Sequence, residues 1–138
     1  MMLIVDTNII VAGLIKDAIT RQLLIHPDLE LYTPEFTLVE IKKHKNVLLK
    51  KSRLGKEDFS ILFEGVISKI IVVPIEDFKS YISKANDIME QIDVYDIPFL
   101  ALALSFDNDG IWSHDKDFEK QDEVKIWKTM DLIEKFIK

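Results

Sequence analysis

The sequence of 138 residues predicts one α/β domain with a short, mostly parallel sheet covered by helices. Short apolar runs suited to buried strands alternate with longer segments in which apolar residues recur at helical spacing. The length is ordinary for one domain, and no Pro/Gly/Ser-rich linker or repeat divides residues 1–138. Ligands of parallel sheets bind at the carboxyl ends of the strands, so a site is expected at that edge.

The first two strands are each followed by a helix. Residues 3–5 form a continuous apolar run that ends at Asp6, and the polar residues after it favour a helix start. Residues 29–33 predict the second strand. Pro34 then stands near the first turn of the next helix, which contains Glu40.

The middle of the chain continues this alternation. Residues 57–67 place apolar side chains on one helical face, and residues 70–73 are β-branched enough for a third strand. Apolar residues recur at helical spacing over residues 78–89. Residues 96–106 are almost wholly apolar, which predicts a helix that is buried on most sides and headed by Asp96.

The last part of the chain predicts two short strands and a closing helix. Residues 111–113 and 125–127 suit the strands, and the helix runs over residues 130–137.

Composition excludes several classes of protein. The chain is 48% hydrophobic and 30% charged, which favours a globular fold over disorder. No apolar run approaches the roughly 20 residues of a membrane helix, and the N-terminus lacks signal-peptide features, so we expect a cytoplasmic protein without membrane contact. The absence of cysteine excludes disulfides, thiolate zinc sites and cysteine nucleophiles.

Charge is distributed unevenly along the chain. The net charge of -6 is unfavourable for binding a phosphate backbone, yet residues 41–56 contain seven Lys or Arg and no acid. This stretch could contact a nucleic acid, or its lysines could simply solvate the outer face of a helix or loop.

Carboxylates from separate stretches are predicted to meet at one edge of the sheet. Asp6 ends the first strand, Asp96 heads the buried helix, and Asp115 and Asp117 follow the fourth strand. Clustered buried carboxylates repel one another unless a cation joins them. Oxygen ligands suit Mg²⁺ or Mn²⁺, and hydrolysis of a phosphodiester is one chemistry that fits.

Simpler roles exist for each residue taken alone. Asp6 and Asp96 could be helix caps, and Asp115 and Asp117 could be turn residues. Glu40 could be a solvated helix residue. The three histidines have no spacing typical of metal ligands, so we interpret them as surface or packing residues without a catalytic role.

Four motifs resemble those of the PIN-domain nucleases, in the same order and over essentially the whole chain. They are Asp6-Thr-Asn-Ile, Leu38-Val-Glu-Ile, Asp96-Ile-Pro-Phe-Leu-Ala-Leu-Ala and Ser113-His-Asp-Lys-Asp-Phe. The resemblance implies a three-layer α/β/α fold, a metal-dependent ribonuclease activity and frequent homodimers or higher oligomers.

The resemblance also implies roles for individual residues. The family's acidic quartet matches Asp6, Glu40, Asp96 and Asp115. Less regular acids match Asp93 and Asp117, and supporting polar positions match Asn8 and Ser113, although Ser113 stands where many relatives have threonine.

A mechanism follows as a hypothesis. Asp6, Asp96 and Asp115 would hold the principal ion, and Glu40 would contact a second ion or the attacking water. The RNA backbone would be held by Lys42, Lys43 and Lys45.

Several functional alternatives remain open on the sequence. The protein could be the toxin of a toxin–antitoxin pair, with an antitoxin protein as its partner, or a nuclease of RNA processing or quality control. A non-catalytic RNA-binding member of the fold would be expected to have lost acids that this chain retains. A phosphatase-like or receiver-like domain would need a basic partner after a later strand, for which the sequence has no good candidate.

Overall fold

The computed structural model describes residues 1–89 and 94–137. Five parallel strands form one sheet in the order β3-β2-β1-β4-β5. The strands are β1 Met2–Val5, β2 Glu30–Pro34, β3 Ile70–Val73, β4 Ile111–Trp112 and β5 Ile126–Trp127. The predicted parallel sheet is confirmed.

Eight α-helices lie in the described part of the chain. They are α1 Thr7–Ile15, α2 Ala18–Leu24, α3 Glu35–Lys43, α4 Lys45–Ser52, α5 Lys56–Ile67, α6 Ile82–Ile88, α7 Ile97–Ser105 and α8 Thr129–Phe136. Short 3₁₀ turns occupy Ile75–Asp77, Lys79–Tyr81 and Lys116–Lys120. None of the described helices combines the length and apolar character that crossing a membrane requires.

The sheet separates two apolar cores, which makes the predicted three-layer α/β/α architecture. Leu3 and Val5 of β1 point into the core that contains helices α1, α2, α5 and α8. Ile4, between them, points into the core built around α7. Alternate side chains of a strand point to opposite faces, so β1 must be apolar at every position, as its sequence is.

Helix α7 has the most buried environment of the described helices. Ile97 and residues 99–103 are buried, and Pro98 lies in the first turn, where its missing N–H leaves no hydrogen bond unmade. The helix predicted over residues 96–106 is therefore confirmed. A polar residue in its centre would lose its water on both sides of the helix.

Three details differ from the sequence predictions. Pro34 belongs to β2, where it pairs with Val73 at the end of the strand, and α3 begins one residue later. The helical spacing over residues 78–89 corresponds to a 3₁₀ turn followed by the short α6, with Phe78, Ala85 and Met89 buried. Helices α2 and α4 have no counterpart in the sequence prediction, because three buried residues in the seven of α2 and one in the eight of α4 are too few to show a helical period.

Candidate active site

The site lies where the order of the strands reverses direction. The chain runs from β1 outward through β2 to β3, and then returns to place β4 on the other side of β1. The loops after β1 and β4 therefore leave the sheet in opposite directions and open a crevice between them. Asp6 follows β1 directly, and Asp115 lies three residues beyond β4.

The backbone fixes these two loops relative to each other. Val5 pairs with Trp112 in the sheet, and the Asp6 N–H donates a hydrogen bond to the Trp112 carbonyl at 3.1 Å. On the other side, the Thr33 hydroxyl donates to the Val5 carbonyl at 3.1 Å. The carboxyl end of β1 is thus held from both neighbouring strands.

Asp96 reaches the same crevice from a different layer. It occupies the N-cap position of α7 and is 8% exposed, whereas Asp6 is 5% exposed. The packing of α7 against the sheet fixes where its first turn stands. Two buried carboxylates from distant parts of the chain therefore share one end of the sheet.

Asp6 and Asp96 line an open cleft of about 490 Å³ together with the other two acids of the predicted quartet. Its lining includes Asp6, Glu40, Asp96 and Asp115, together with Thr7, Asn8, Phe36, His44, Tyr95 and Phe99. Among the described residues that line this cleft there is no lysine or arginine. The cleft is therefore strongly acidic.

Three carboxylates are close enough to share a cation. Asp96, Asp115 and Asp117 each offer an oxygen atom, and these atoms all lie within 4.8 Å of one another. Ligands of Mg²⁺ lie at about 2.1 Å from the ion, so two of them are at most about 4.2 Å apart. Small side-chain rotations would close that difference on binding, and the all-oxygen set suits Mg²⁺ or Mn²⁺.

This trio differs from the predicted ligand set in one member. Asp117, which sequence reasoning gave a supporting role, belongs to it, and Asp6 lies beside it in the same cleft. Asp117 also pairs with Lys120, at 3.1 Å between oxygen and nitrogen. That lysine is mostly exposed, so the pair is weak and leaves Asp117 able to turn toward a cation.

Ser113 connects Asp6 and Asp115 and is fully buried. Its hydroxyl donates to Asp6 Oδ2 at 2.6 Å and accepts from the Asp115 N–H at 3.0 Å. A hydroxyl that does both is oriented by the backbone and fixes the carboxylate in turn. Ser113 is therefore a positioning residue in this structure.

Burial raises the pKa of Asp6 above its ordinary value, and the charge of Asp115 raises it further. The Ser113 hydroxyl and the backbone N–H groups of Thr7 and Asn8 act in the opposite direction. The net shift is upward. A cation in the cleft would favour the ionised form of Asp6.

The turn interpretation fits Asp115 and Asp117, which begin the 3₁₀ turn after β4, whereas the cap interpretation fits only the positions of Asp6 and Asp96. Asp6 and Asp96 stand at the N-caps of α1 and α7, and neither side chain makes a well-aligned capping hydrogen bond, although the Thr7 and Asn8 N–H groups lie near enough to Asp6 to lower its pKa. Asp115 does cap the short turn after β4, because its Oδ1 accepts from the Asp117 N–H at 2.9 Å. Its second oxygen remains available for another contact.

Glu40 enters the cleft from α3 and is about half exposed. Its carboxylate lies 3.7 Å from His44 Nε2, one helical turn later. Sequence reasoning gave His44 no role, yet it lines the cleft. The spacing of four residues between Glu40 and His44 is the signal that could have found it.

The remaining predicted site residues differ in whether they lie at the cleft, on the surface or in a packing contact. Asn8 is exposed and borders the cleft. Asp93 lies outside the described residues. Lys42 and Lys43 are exposed on α3, whereas Lys45 places its Nζ 4.6 Å from the centre of the Phe63 ring. Lys45 therefore packs against α5 by a cation–π contact.

A second, smaller cleft of about 240 Å³ continues past Asp6 and Asp115. Asp17 and His114 line its far side. Asp17 caps α2 by accepting from the N–H groups of Ile19 and Thr20, both at 3.1 Å. These contacts and the charge of His114 hold the pKa of Asp17 below its ordinary value. The acidic surface thus extends beyond the predicted quartet.

The fold and the site together define a class of protein: an α/β domain with an acidic, metal-capable cleft at the switch point of a parallel sheet. A family model described as PIN domain matches residues 4–136. The chain therefore belongs to the PIN-domain family, whose fold is that of a nuclease. No curated protein matches the chain.

Proposed function

We propose that this protein is a divalent-metal-dependent endoribonuclease that hydrolyses phosphodiester bonds of RNA in the acidic cleft. The observation that carries the proposal is the trio of Asp96, Asp115 and Asp117, with oxygens within 4.8 Å of one another. Asp96 comes from the start of α7 and the other two acids from the turn after β4, and a cation between them would offset their mutual repulsion. The cleft is open, so a polymer can reach it.

The acids of the cleft would have different roles in the reaction. Asp96, Asp115 and Asp117 would supply ligand oxygens, with Asp6 beside them. Bound Mg²⁺ or Mn²⁺ would lower the pKa of an attacking water and offset the charge that develops on the phosphate. Glu40, at the rim, would orient that water and accept its proton. No residue of the chain needs to bond covalently to the substrate.

Ser113 would hold Asp6 and Asp115 in a fixed arrangement relative to each other. Its hydroxyl holds Asp6 Oδ2, and its oxygen receives the Asp115 N–H. Residues that orient metal ligands typically change metal affinity by about 10- to 100-fold when they are removed. The hydroxyl is therefore expected to affect metal affinity without touching the substrate.

The substrate backbone would approach over the exposed lysines of α3. Lys43 lies one turn beyond Glu40, on the same side of the helix, so it is the best placed of the three predicted lysines. Lys42 lies further round the helix. Lys45 packs on Phe63 and is the weakest of the three candidates.

For the biological role, we propose that the protein is the toxin of a toxin–antitoxin pair and that an antitoxin protein silences it. It would act in the cytoplasm as a homodimer or higher oligomer. Growth arrest on expression that disappears with Asp96→Asn would support this role. A neutral effect of the native protein on growth would favour RNA processing or quality control instead.

The direct test is cleavage of a panel of single-stranded RNAs in Mg²⁺, Mn²⁺ or EDTA. The native protein is compared with Asp6→Asn and Asp96→Asn, and Asp122→Asn serves as a matched control because Asp122 is exposed and lies outside the cleft. We expect metal-dependent cutting by the native protein and the control only. Equal cutting by all four proteins would refute the assigned site.

A further inference from the structure

A second cavity, of about 320 Å³, adjoins the acidic cleft and differs from it in character. Most of its wall is apolar, formed by Phe36, Val39, Ile75, Phe78 and Pro98. Two carboxylates, those of Glu35 and Glu40, stand at its edge. The volume is at the lower end of the range for small-molecule pockets, roughly 300 Å³ and above.

Three elements build this apolar pocket. Phe36 and Val39 lie three residues apart on α3, so they share a face of that helix. The 3₁₀ turn after β3 supplies Ile75, and buried Phe78 follows that turn. Pro98 comes from the first turn of α7, two residues after Asp96. The pocket is thus part of the same framework that positions the acids.

Two apolar side chains at the pocket are left open to solvent. Val39 is 58% exposed and Ile75 is 54% exposed. Single exposed apolar residues are common, but two that line one cavity form an apolar surface to which a ligand can bind. Their exposure also means that either can be replaced without opening the core.

The apolar pocket and the acidic cleft are continuous. Phe36 and Glu40 line both cavities. The Phe36 ring packs edge-on against Phe99, with 5.7 Å between the ring centres and 71° between the planes. The Phe36 ring therefore forms the wall between the apolar pocket and the acidic cleft.

We propose that the apolar pocket receives an unpaired nucleobase of the nucleotide whose phosphate lies at the acids. This inference rests on the proposed function and adds to it a binding site for one base of the substrate. A nucleotide joins a flat apolar ring to an anionic phosphate, the same two chemistries that these adjoining cavities present. A base paired within a duplex cannot enter, because its faces are stacked and its edge is engaged.

The carboxylates at the pocket edge add a preference among bases. Glu40 faces the acidic cleft as well, so Glu35 is the carboxylate left to accept hydrogen bonds from exocyclic amino groups, which adenine, cytosine and guanine carry and uracil lacks. Stacking in the apolar pocket would tolerate every base. The preference is therefore expected to be graded, with uracil lowest.

The first test measures the pocket without any cleavage. Methyl resonances of Val39 and Ile75 are followed by NMR in EDTA while adenosine monophosphate or ribose 5-phosphate is added. We expect shifts with the nucleotide and not with the sugar phosphate. Equal responses to both, no response to either, or shifts that depend only on protein concentration would overturn the inference. The last result would assign the pocket to a contact between copies of the chain.

The second test uses cleavage of an RNA in which one base beside the cut is removed to leave an abasic site. Because a stacked base contributes strongly to binding, kcat/KM should fall on the order of 10- to 100-fold. In the double variant Val39→Ala, Ile75→Ala, the same abasic change should have much less effect. Val47→Ala, Ile61→Ala is the matched control, since both residues are exposed apolar positions outside the pocket.

The two tests separate the two proposals. If no RNA is cut but the nucleotide shifts the Val39 and Ile75 methyls, the apolar pocket is supported and the nuclease fails. If RNA is cut in a metal-dependent way with no effect of the abasic site, the nuclease stands and the apolar pocket is refuted.

Discussion

Replacing Asp96 by asparagine tests the metal site without any RNA. At the 4.8 Å limit that encloses the trio's oxygens, two unit charges repel by about 0.9 kcal/mol in water and about 3.5 kcal/mol at an effective dielectric of 20. Asp96→Asn removes one charge and keeps the size of the side chain. Asp96 has two such neighbours, so we expect the metal-free variant to be as stable as the native protein or more stable, by up to about 3.5 kcal/mol for each of them.

The effect of metal should be the opposite. A ligand at 100 times its Kd stabilises the folded state by about 2.7 kcal/mol. For a domain of this size, that free energy raises the melting temperature by about 10 °C. Asp96→Asn loses one ligand and should show a rise of less than about 2 °C at the same metal concentration, as expected when affinity falls about 100-fold.

The assay is thermal unfolding in EDTA and then in excess Mn²⁺ or Mg²⁺. Asp122→Asn carries the same chemical change on an exposed turn and should retain the full metal-induced rise. A full rise in Asp96→Asn would refute the reasoning. So would a marked loss of stability of the metal-free variant, because it would show that the Asp96 charge is stabilised by the protein alone.

Four further predictions follow from the same geometry. The pKa of Asp6 is raised by burial, so its contribution to metal-free stability is fully present below pH 3.8 and is lost as the pH rises through the raised value. Asp6→Asn should therefore melt higher than native protein at pH 7 in EDTA, and the difference should vanish near pH 3. Ser113→Ala should weaken Mn²⁺ binding about 10- to 100-fold by calorimetry, while Ser113→Thr, which keeps the hydroxyl, should weaken it far less. Lys43→Gln should reduce the slope of log affinity for single-stranded RNA against log salt by about 0.7, whereas Lys45→Gln should leave it unchanged. Gly110→Ala should lower the free energy of unfolding by more than about 1 kcal/mol, because Gly110 has φ +126° and an added Cβ would lie 2.1 Å from the Lys125 carbonyl oxygen.

Each of these predictions has a result that contradicts it. A higher melting temperature of Asp6→Asn that persists at pH 3 would deny the role of ionisation. Equal metal affinity of Ser113→Ala and native protein would leave the hydroxyl without a positioning role. A changed salt slope in Lys45→Gln would place the RNA over α5, and an unchanged stability of Gly110→Ala would mean that the β4 to β5 contact is free to shift.

Sequence patterns predicted the elements well where the pattern is strong. The apolar run of residues 3–5 and the almost continuous apolar residues of α7 both require burial on two sides, which only a sheet between helix layers or a central helix provides. Helices α2 and α4 and the 3₁₀ turns were not predicted. They are too short for periodicity to separate them from loops.

The site was predictable in part for the same reason. Strand ends in a parallel sheet meet at one edge, so Asp6 and Asp115 could be placed together from their positions after apolar runs. Asp117 belongs to the metal-capable trio because of how the turn after β4 is oriented, and His44 lines the cleft because of how α3 is rotated. The sequence pattern does not give either orientation.

The sequence by itself determined the alternation of strands and helices, the absence of cysteine chemistry and the identity of the acids at the strand ends. These follow from local rules of burial and periodicity. Tertiary structure alone decided which oxygens come within 4.8 Å, that Ser113 holds Asp6, that Lys45 packs on Phe63, and that an apolar pocket shares Phe36 and Glu40 with the acidic cleft. The physical reason is that distances between residues far apart in the chain depend on how whole layers pack, and packing is set by all the side chains of a core together.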